Sequence, residues 1–316
     1  MSPLPVVQAA ALAAAQTENR WMIDSLWLRR AVGVIGGPPK TNKTYLALDI
    51  ALSVASSTAA LGRFPVRDPG PVLIYMAEDA EAAIKERLTA LCHHRGLDLG
   101  AVPLYVITAS TLRLDLATDQ RRLLDVVAAY KPTLLVLDPL VRLHALNEND
   151  AGEISRLLGY LRELQRSRHC SLLLVHHTRK SGAGSGGGQN LRGSGDIHAW
   201  VDSSLYLSRH ARHITLTPEH RSAPSPDPIS LALIDSENEQ DRNAHLEVVD
   251  APNPADAEQQ RIEEKLIAEL QCAPRSRAQL RQTLSLRNER LGHLLEHLAA
   301  QGRIVHADHL WRVPFP

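Results

Sequence analysis

The sequence predicts an α/β protein. Its core is a mostly parallel sheet, helix-covered on both faces and extended by antiparallel strands, followed by a small C-terminal domain of three helices and a hairpin. Three observations carry this reading. Short aliphatic runs such as Pro71 to Met76, Thr133 to Leu137 and Ser171 to Val175 alternate with helical segments. Runs that are apolar throughout, rather than at every second residue, mark strands buried on both faces. The chain also changes character after the Pro/Asn/Ala stretch at 251–257.

The elements follow in order. Residues 1–20 form an Ala-rich N-terminal extension without the basic n-region of a signal peptide. The main domain is expected over 21–250. Its first buried strand, Ala31 to Ile35, stops at Gly36-Gly37-Pro38-Pro39, where proline removes a donor and fixes φ. Tyr45 to Ser56 is apolar nearly all round, as a helix buried against a sheet must be. Strand Pro71 to Met76, helix Ala80 to His94, strand Leu104 to Ile107 and helix Asp119 to Tyr130 come next. Strand Thr133 to Leu137, helix Glu153 to Arg168 and strand Ser171 to Val175 complete the alternation. The Gly/Ser run from Ser181 to Gly188 reads as a flexible loop. After a short helix, Asp196 to Val201, three further strands at Leu205 to Leu207, His213 to Leu216 and Ser230 to Ile234 extend the sheet antiparallel. A linker is expected at 251–257 and a second domain at 258–316.

Composition narrows the function. Of 316 residues, 35 are Lys or Arg and 35 Asp or Glu, so the formal charge is zero. That excludes a uniformly basic nucleic-acid coat but not a basic channel. With 44% apolar and 22% charged residues the chain is globular, and with 4% aromatics its core is aliphatic. Cys92, Cys170 and Cys272 are scattered, with neither zinc spacing nor a disulfide framework. No apolar run reaches the ~18–20 residues that span a bilayer. A soluble cytoplasmic protein without membrane contact is expected.

Gly37-Pro38-Pro39-Lys40-Thr41-Asn42-Lys43-Thr44 has the P-loop layout G-x-x-x-x-G-K-[S/T], with Asn42 in place of the second glycine. It lies between a buried strand and a helix, where backbone N–H groups and the helix N-terminus can cradle phosphates. Lys43 would reach the β/γ-phosphates of ATP and the Thr44 hydroxyl would ligate Mg²⁺. The replaced glycine suggests a backbone position with φ > 0, which asparagine tolerates best among the other residues.

Glu78 and Asp138 each follow a buried strand directly. In an open parallel sheet ligands bind at the carboxyl ends of strands, so both acids project toward the P-loop edge. Asp138 suits a Mg²⁺ site, and Glu78 suits a group that orients an attacking water. His176-His177 ends the next strand, and either can contact a γ-phosphate or be a structural histidine; His177 is preferred.

This order of motifs (GGPPKTNKT, YMAEDA, LLVLDPLVRLHALNEND, LLLVHHTRK and LRGSGDIHAWVDSSLYLSR) resembles the RecA/DnaB class of P-loop ATPases, and within it the RepA-type hexameric helicases of plasmids and mobile elements. The resemblance spans about Trp21 to Ile234. It implies a RecA-like core, ATP and Mg²⁺, a homo-oligomeric ring, most often a hexamer, and hydrolysis between subunits coupled to movement of single-stranded DNA. It assigns Lys43 and Thr44 to phosphate and Mg²⁺, Glu78 to the catalytic glutamate, Asp138 to Mg²⁺, and His177 to the polar sensor. Arg221 matches the arginine finger supplied to the neighbouring subunit, with Arg209 as runner-up. Glu219 stands where DnaB-like members often have lysine two residues before the finger. Loops facing the ring's channel would bring Arg142, Arg179, Lys180 and Arg192 to DNA, chiefly through phosphates, since few aromatics lie nearby.

In the C-terminal domain, Ile262, Leu266, Ile267 and Leu270 share one helix face. Ser276 is placed to cap a second helix and Asn288 a third. Three helices and a hairpin resemble a winged helix-turn-helix, whose third helix would present Arg287 and Arg290 to a major groove of duplex DNA. With 9 basic and 7 acidic residues the domain is only mildly basic, so protein docking stays open beside DNA contact. The alternative to a motor is a nucleotide-switched DNA-binding regulator or loader that assembles on DNA without unwinding it.

Overall fold

The computed structural model describes residues 6–11, 20–146, 151–177, 194–210, 213–234, 244–250, 254–286, 288–307 and 309–314. The chain divides into two compact units, residues 1–249 and 250–316.

In the first unit a two-stranded antiparallel pair, β1 (Trp21–Ile23) and β2 (Trp27–Leu28), precedes the main sheet. The alternation then runs β3 (Val32–Gly37), α1 (Lys43–Ser56), β4 (Val72–Met76), α2 (Glu81–His94), β5 (Leu104–Val106), α3 (Ala117–Tyr130), β6 (Leu134–Asp138), α4 (Ala151–Arg168) and β7 (Ser171–His177). It continues through α5 (Ser194–Trp200), β8 (Ser203–His210), β9 (His213–His220), β10 (Ile229–Ile234) and β11 (His245–Val248). The nine strands order as β11-β10-β9-β8-β3-β7-β6-β4-β5. All pairings from β8 to β5 are parallel, and those among β8, β9, β10 and β11 are antiparallel. A mostly parallel sheet with an antiparallel extension is therefore present. β1, β2 and β11 are strands that aliphatic runs alone do not announce.

Alternation inside the apolar strands sorts their side chains into two cores. Ile35, Ile74, Val136 and Leu173 pack on the side of α1 and α2. Val34, Leu73, Leu135 and Leu172 pack on the side of α3 and α4. Full burial of such side chains contributes roughly 1.5–3 kcal/mol each. The strands are apolar throughout because neither face meets water.

Strand β3 sits close to its neighbour. A Cβ on Gly33 would lie 2.1 Å from the Ser203 carbonyl oxygen and 2.7 Å from the Trp27 ring, which is fully buried. A Cβ on Gly37 would lie 2.4 Å from the Leu207 carbonyl oxygen. Only hydrogen fits at either place. Behind the loop, Asp49 of α1 accepts from the Leu61 amide (2.8 Å) and pairs with Arg95 at the end of α2, so the P-loop helix is anchored at its middle.

The second unit contains α6 (Pro254–Cys272), α7 (Arg277–Leu284), α8 (Asn288–Ala300) and an antiparallel hairpin of β12 (Val305–Ala307) and β13 (Leu310–Arg312). Helix α6 starts at Pro254, inside the stretch expected as linker. Proline at a first helical position forgoes only an N–H that lacks an intrahelical partner. Ser276 caps α7 through a complete capping box with Gln279. Gly302 (φ 69°) ends α8, with its N–H on Ala299 and that of Arg303 on Leu298, a Schellman closure. Leu266, Leu280, Leu291, Leu295 and Leu298 form this unit's own core.

A candidate nucleotide site at the carboxyl edge of the sheet

Register brings the site together. Gly37 ends β3 opposite His177 at the end of β7, and Asp138 ends β6 opposite Met76 of β4. The loop 37–44, Glu78, Asp138 and His177 therefore occupy one edge, at the carboxyl ends of adjacent strands. Lys40 to Thr44 of the loop, Glu78, Asp138 and His177 line a cavity of about 250 Å³, together with Asp79, Tyr45 and Arg87; Gly37, Pro38 and Pro39 lie outside that lining.

The loop closes on itself. Thr41 Oγ1 donates to the Pro38 carbonyl (2.8 Å). Lys43 Nζ donates to the carbonyls of Gly37 (3.0 Å) and Pro38 (2.8 Å). Pro38 and Pro39 have no N–H, so the loop's donors begin at Lys40. The amides of Lys43, Thr44 and Tyr45, in the first turn of α1, have no intrahelical acceptor and are available to an anion. Asn42 lies at φ 63°, ψ 31°, in the left-handed region, and Lys40 is left-handed as well (φ 64°). The second of these is a demand the sequence does not announce.

Burial sets the charges. Lys43 is only 6% exposed, and desolvation pulls its ammonium down to about 8, against the pull of Asp138 and Glu78. Asp138 is equally buried. Desolvation pushes its carboxyl up to about 6; the hydrogen bond from Thr44 and the charge of Lys43 oppose this, while Asp79 and Glu78 add to it. Thr44 Oγ1 donates to Asp138 Oδ2 at 2.8 Å. A hydroxyl beside a buried carboxylate, whose charge Lys43 offsets only in part, fits a hard divalent cation. Arg87 pairs with Asp79 (2.8 Å) and lies over the Tyr45 ring.

Strand parity separates the two histidines. His177 shares its face with Val175, on the α1 side, and lines the cavity; His176 points to the other face and is buried. Glu78 is half-exposed, and its Oε1 accepts from Arg142 Nε at 2.7 Å. Glu78 and Arg142, which the sequence assigns to separate roles, are thus in contact.

The remaining residues lie elsewhere. Arg221 leaves β9 just after His220, which pairs with Ser203 at the amino end of β8. That is the sheet edge opposite the P-loop, and there Arg221 stands 3.7 Å from Asp202, a carboxylate shared with Arg162. Arg209, near the end of β8, lies at the P-loop edge, with Nη1 3.3 Å from the Lys40 carbonyl of the same chain. Arg290 is exposed on α8. Arg179, Lys180, Arg192, Arg287 and the Gly/Ser run lie outside the described residues. Among the described residues, no helix is long and apolar enough to cross a membrane.

Sheet order, loop and acids define the core of a P-loop ATPase. The family described as AAA domain matches residues 1–183, and the chain belongs to it. Among solved structures it is similar to a chain in the structure of a DnaB-like replicative helicase and its interactions with primase, with TM-score 0.51 and 15% identity. The match covers 65% of this chain and 56% of that one, so this chain spans little more than half of that chain's length. At that identity the likeness is one of fold.

Proposed function

We propose that the protein is an ATP-driven motor on single-stranded DNA, a ring-forming replicative helicase of a plasmid or mobile element, with ATP hydrolysed at subunit interfaces. The observation that carries this reading is the grouping of Lys43, Thr44, Asp138, Glu78 and His177 around one cavity at the strand ends. Lys43 would neutralise the β/γ-phosphates, and the loop amides from Lys40 onward would hold them. Thr44 and Asp138 would hold Mg²⁺, which when bound offsets phosphate charge. Glu78 would accept a hydrogen bond from the attacking water, and His177 would contact the γ-phosphate from β7. Arg221, far from its own chain's cavity, would serve the site of the next subunit. Arg142, with Arg179, Lys180 and Arg192, would meet the DNA backbone.

The main domain would comprise 21–250. The C-terminal domain, 258–316, would act as a winged helix offering Arg287 and Arg290 to duplex DNA or docking a protein. That domain also motivates a second reading, a nucleotide-switched regulator or loader, because α8 exposes Arg290 and His293 on one unit with its own core.

The test is ATP turnover of the wild type and Lys43→Ala, with and without single-stranded DNA. The motor reading expects turnover that rises with DNA and vanishes in the variant. Nucleotide binding without DNA-stimulated turnover would reject the motor in favour of the loader.

A further inference from the structure

We infer that His94, His245 and Glu247 form a binding site for a divalent transition metal of the zinc class, which fastens the last strand of the main sheet to the end of α2. None of the three lines the nucleotide cavity, and the inference stands apart from the proposed function.

Two elements far apart in sequence bring the three side chains together, so no spacing motif announces them. His94 is the last residue of α2. The helix end is fixed there: the Arg95 amide donates to the Leu91 and Cys92 carbonyls, and the Arg95 guanidinium donates to Ser53 and pairs with Asp49 of α1. His245 and Glu247 are alternate residues of β11, and pairing with β10 sets their places, with Ile234 opposite His245 and Ala232 opposite Glu247. β11 is four residues long and ends the sheet, with β10 beside it on one side only. A short edge strand of this kind is held by few backbone bonds and opens at low cost. A cross-link to α2 supplies a fixed point that the ladder lacks.

The donors suit the ion. His245 Nε2 and Glu247 Oε1 are 2.9 Å apart, and one donor atom from each of the three residues lies within 4.8 Å of those of the other two. Adjacent ligands of a tetrahedral zinc-class ion, at bond lengths of about 2.0–2.2 Å, are separated by about 3.3 Å. The His245–Glu247 edge is thus near that length already, and the metal takes the place of the hydrogen between the two atoms. Binding moves that proton from Nε2 to Nδ1, leaving Nε2 as the ligand. The His94 and His245 rings are stacked, with centroids 3.6 Å apart and planes 24° from parallel. Ring lone pairs lie in the ring planes, so those of stacked rings do not meet; the exposed His94 ring turns to bring a nitrogen onto the ion. Burial and then the neighbouring His245 pull the His94 imidazole below its ordinary range; Arg95 adds to this, while Glu247 and Asp49 oppose it. A neutral imidazole is the form that ligates. The Glu247 carboxylate supplies negative charge, and the C-terminus of the 14-residue α2 adds more. Two imidazoles and one carboxylate, with a water to complete four-coordination, suit zinc-class ions rather than Mg²⁺ or Ca²⁺, which take oxygen.

Zn²⁺ is titrated by calorimetry into the full-length protein, freed of metal by chelator and kept in excess Mg²⁺. The wild type is compared with His94→Ala, Glu247→Gln and, as a control for the P-loop cavity, Asp138→Asn. The wild type and Asp138→Asn should take up a single equivalent of Zn²⁺ with the same affinity. His94→Ala and Glu247→Gln should lose that equivalent or bind it at least roughly tenfold more weakly. Zn²⁺ should raise the Tm of the wild type by several degrees and leave that of His94→Ala unmoved. Co²⁺ in its place should give the visible absorption of a tetrahedral site in the wild type but not in His94→Ala. A wild type without uptake at micromolar Zn²⁺, or His94→Ala and Glu247→Gln with the wild-type uptake, would overturn the inference, and the three side chains would then be packing alone. Uptake lost only in Asp138→Asn would overturn it too, by placing the ion in the P-loop cavity. Because His94 is exposed, the metal-free His94→Ala protein should melt with the metal-free wild type. Should it not, Glu247→Gln, which keeps an acceptor for His245, carries the same comparison. No readout depends on ATP turnover, so failure here leaves the motor reading untouched.

Discussion

The Thr44 hydroxyl donates to the Asp138 carboxylate across 2.8 Å, joining the first turn of α1 to the end of β6. This single bond ties the phosphate loop to the strand that carries its acidic partner, over 94 residues of sequence. Asp138 pays for that position by sitting in a place that disfavours its charge.

The cost can be measured. The carboxyl is pushed up to about 6 in the fold, from 3.8 as a free side chain. The folded state therefore holds this proton more tightly than the unfolded chain does. The group's contribution is most favourable below about pH 4 and declines as pH rises to about 6, leaving a deficit on the order of 3 kcal/mol at neutral pH. Asp138→Asn, whose side-chain oxygen still accepts from Thr44, should raise the urea midpoint at pH 7 while removing Mg²⁺-dependent turnover. A midpoint that falls at pH 7 would count against a destabilising Asp138.

The same two buried groups predict a bell-shaped pH profile for binding of Mg²⁺-nucleotide. On the acid side, a proton on Asp138 competes with the cation below about pH 6. On the alkaline side, Lys43 loses its charge above about pH 8. The groups interact, so the flanks belong to the pair rather than to either residue alone. Titrating a fluorescent ATP analogue with Mg²⁺ across this range checks it, and a flat profile would contradict the burial of both.

Asn42 is left-handed and makes no side-chain cap for α1. Asn42→Gly should therefore keep nucleotide binding, and Asn42→Val should lose stability by about 1–2 kcal/mol, because a β-branched side chain is strained at φ > 0. Chemical denaturation of the two variants side by side gives the comparison. Equal stabilities would mean that the loop relaxes out of the left-handed conformation.

Arg221 lies at the sheet edge opposite its own cavity. If it completes a neighbouring subunit's site, Lys43→Ala and Arg221→Ala should each be inactive alone and recover turnover when mixed, since one supplies the intact cavity and the other the arginine. Mixtures as inactive as their parts would assign Arg221 to its ion pair with Asp202 instead.

Much of this site is legible in the sequence because its parts are local. The loop 37–44 is a contiguous motif, and Glu78 and Asp138 stand directly after aliphatic runs, so strand direction alone sends them to one edge. What is not legible depends on which strands are neighbours and which face each side chain takes. Parity along Ser171–His177 decides that His177 rather than His176 meets the cavity, but only once α1 is known to cover that face. The contact between Arg142 and Glu78 needs β4 beside β6 in a fixed register. The short strands Trp21–Ile23 and His245–Val248 escape because three or four residues carry too little pattern to separate a strand from a loop.

The close approach at Gly33 and Gly37 leaves its own mark on what this chain can become. With carbonyl oxygens of Ser203 and Leu207 where a methyl would stand, a library varied at every position of β3 should return glycine alone at 33 and 37. The aliphatic positions between them, Val34 and Ile35, should accept exchange among residues of similar volume. The strand leading into the loop would thus have a sharply uneven tolerance to substitution, dictated by the backbone of its neighbour rather than by nucleotide.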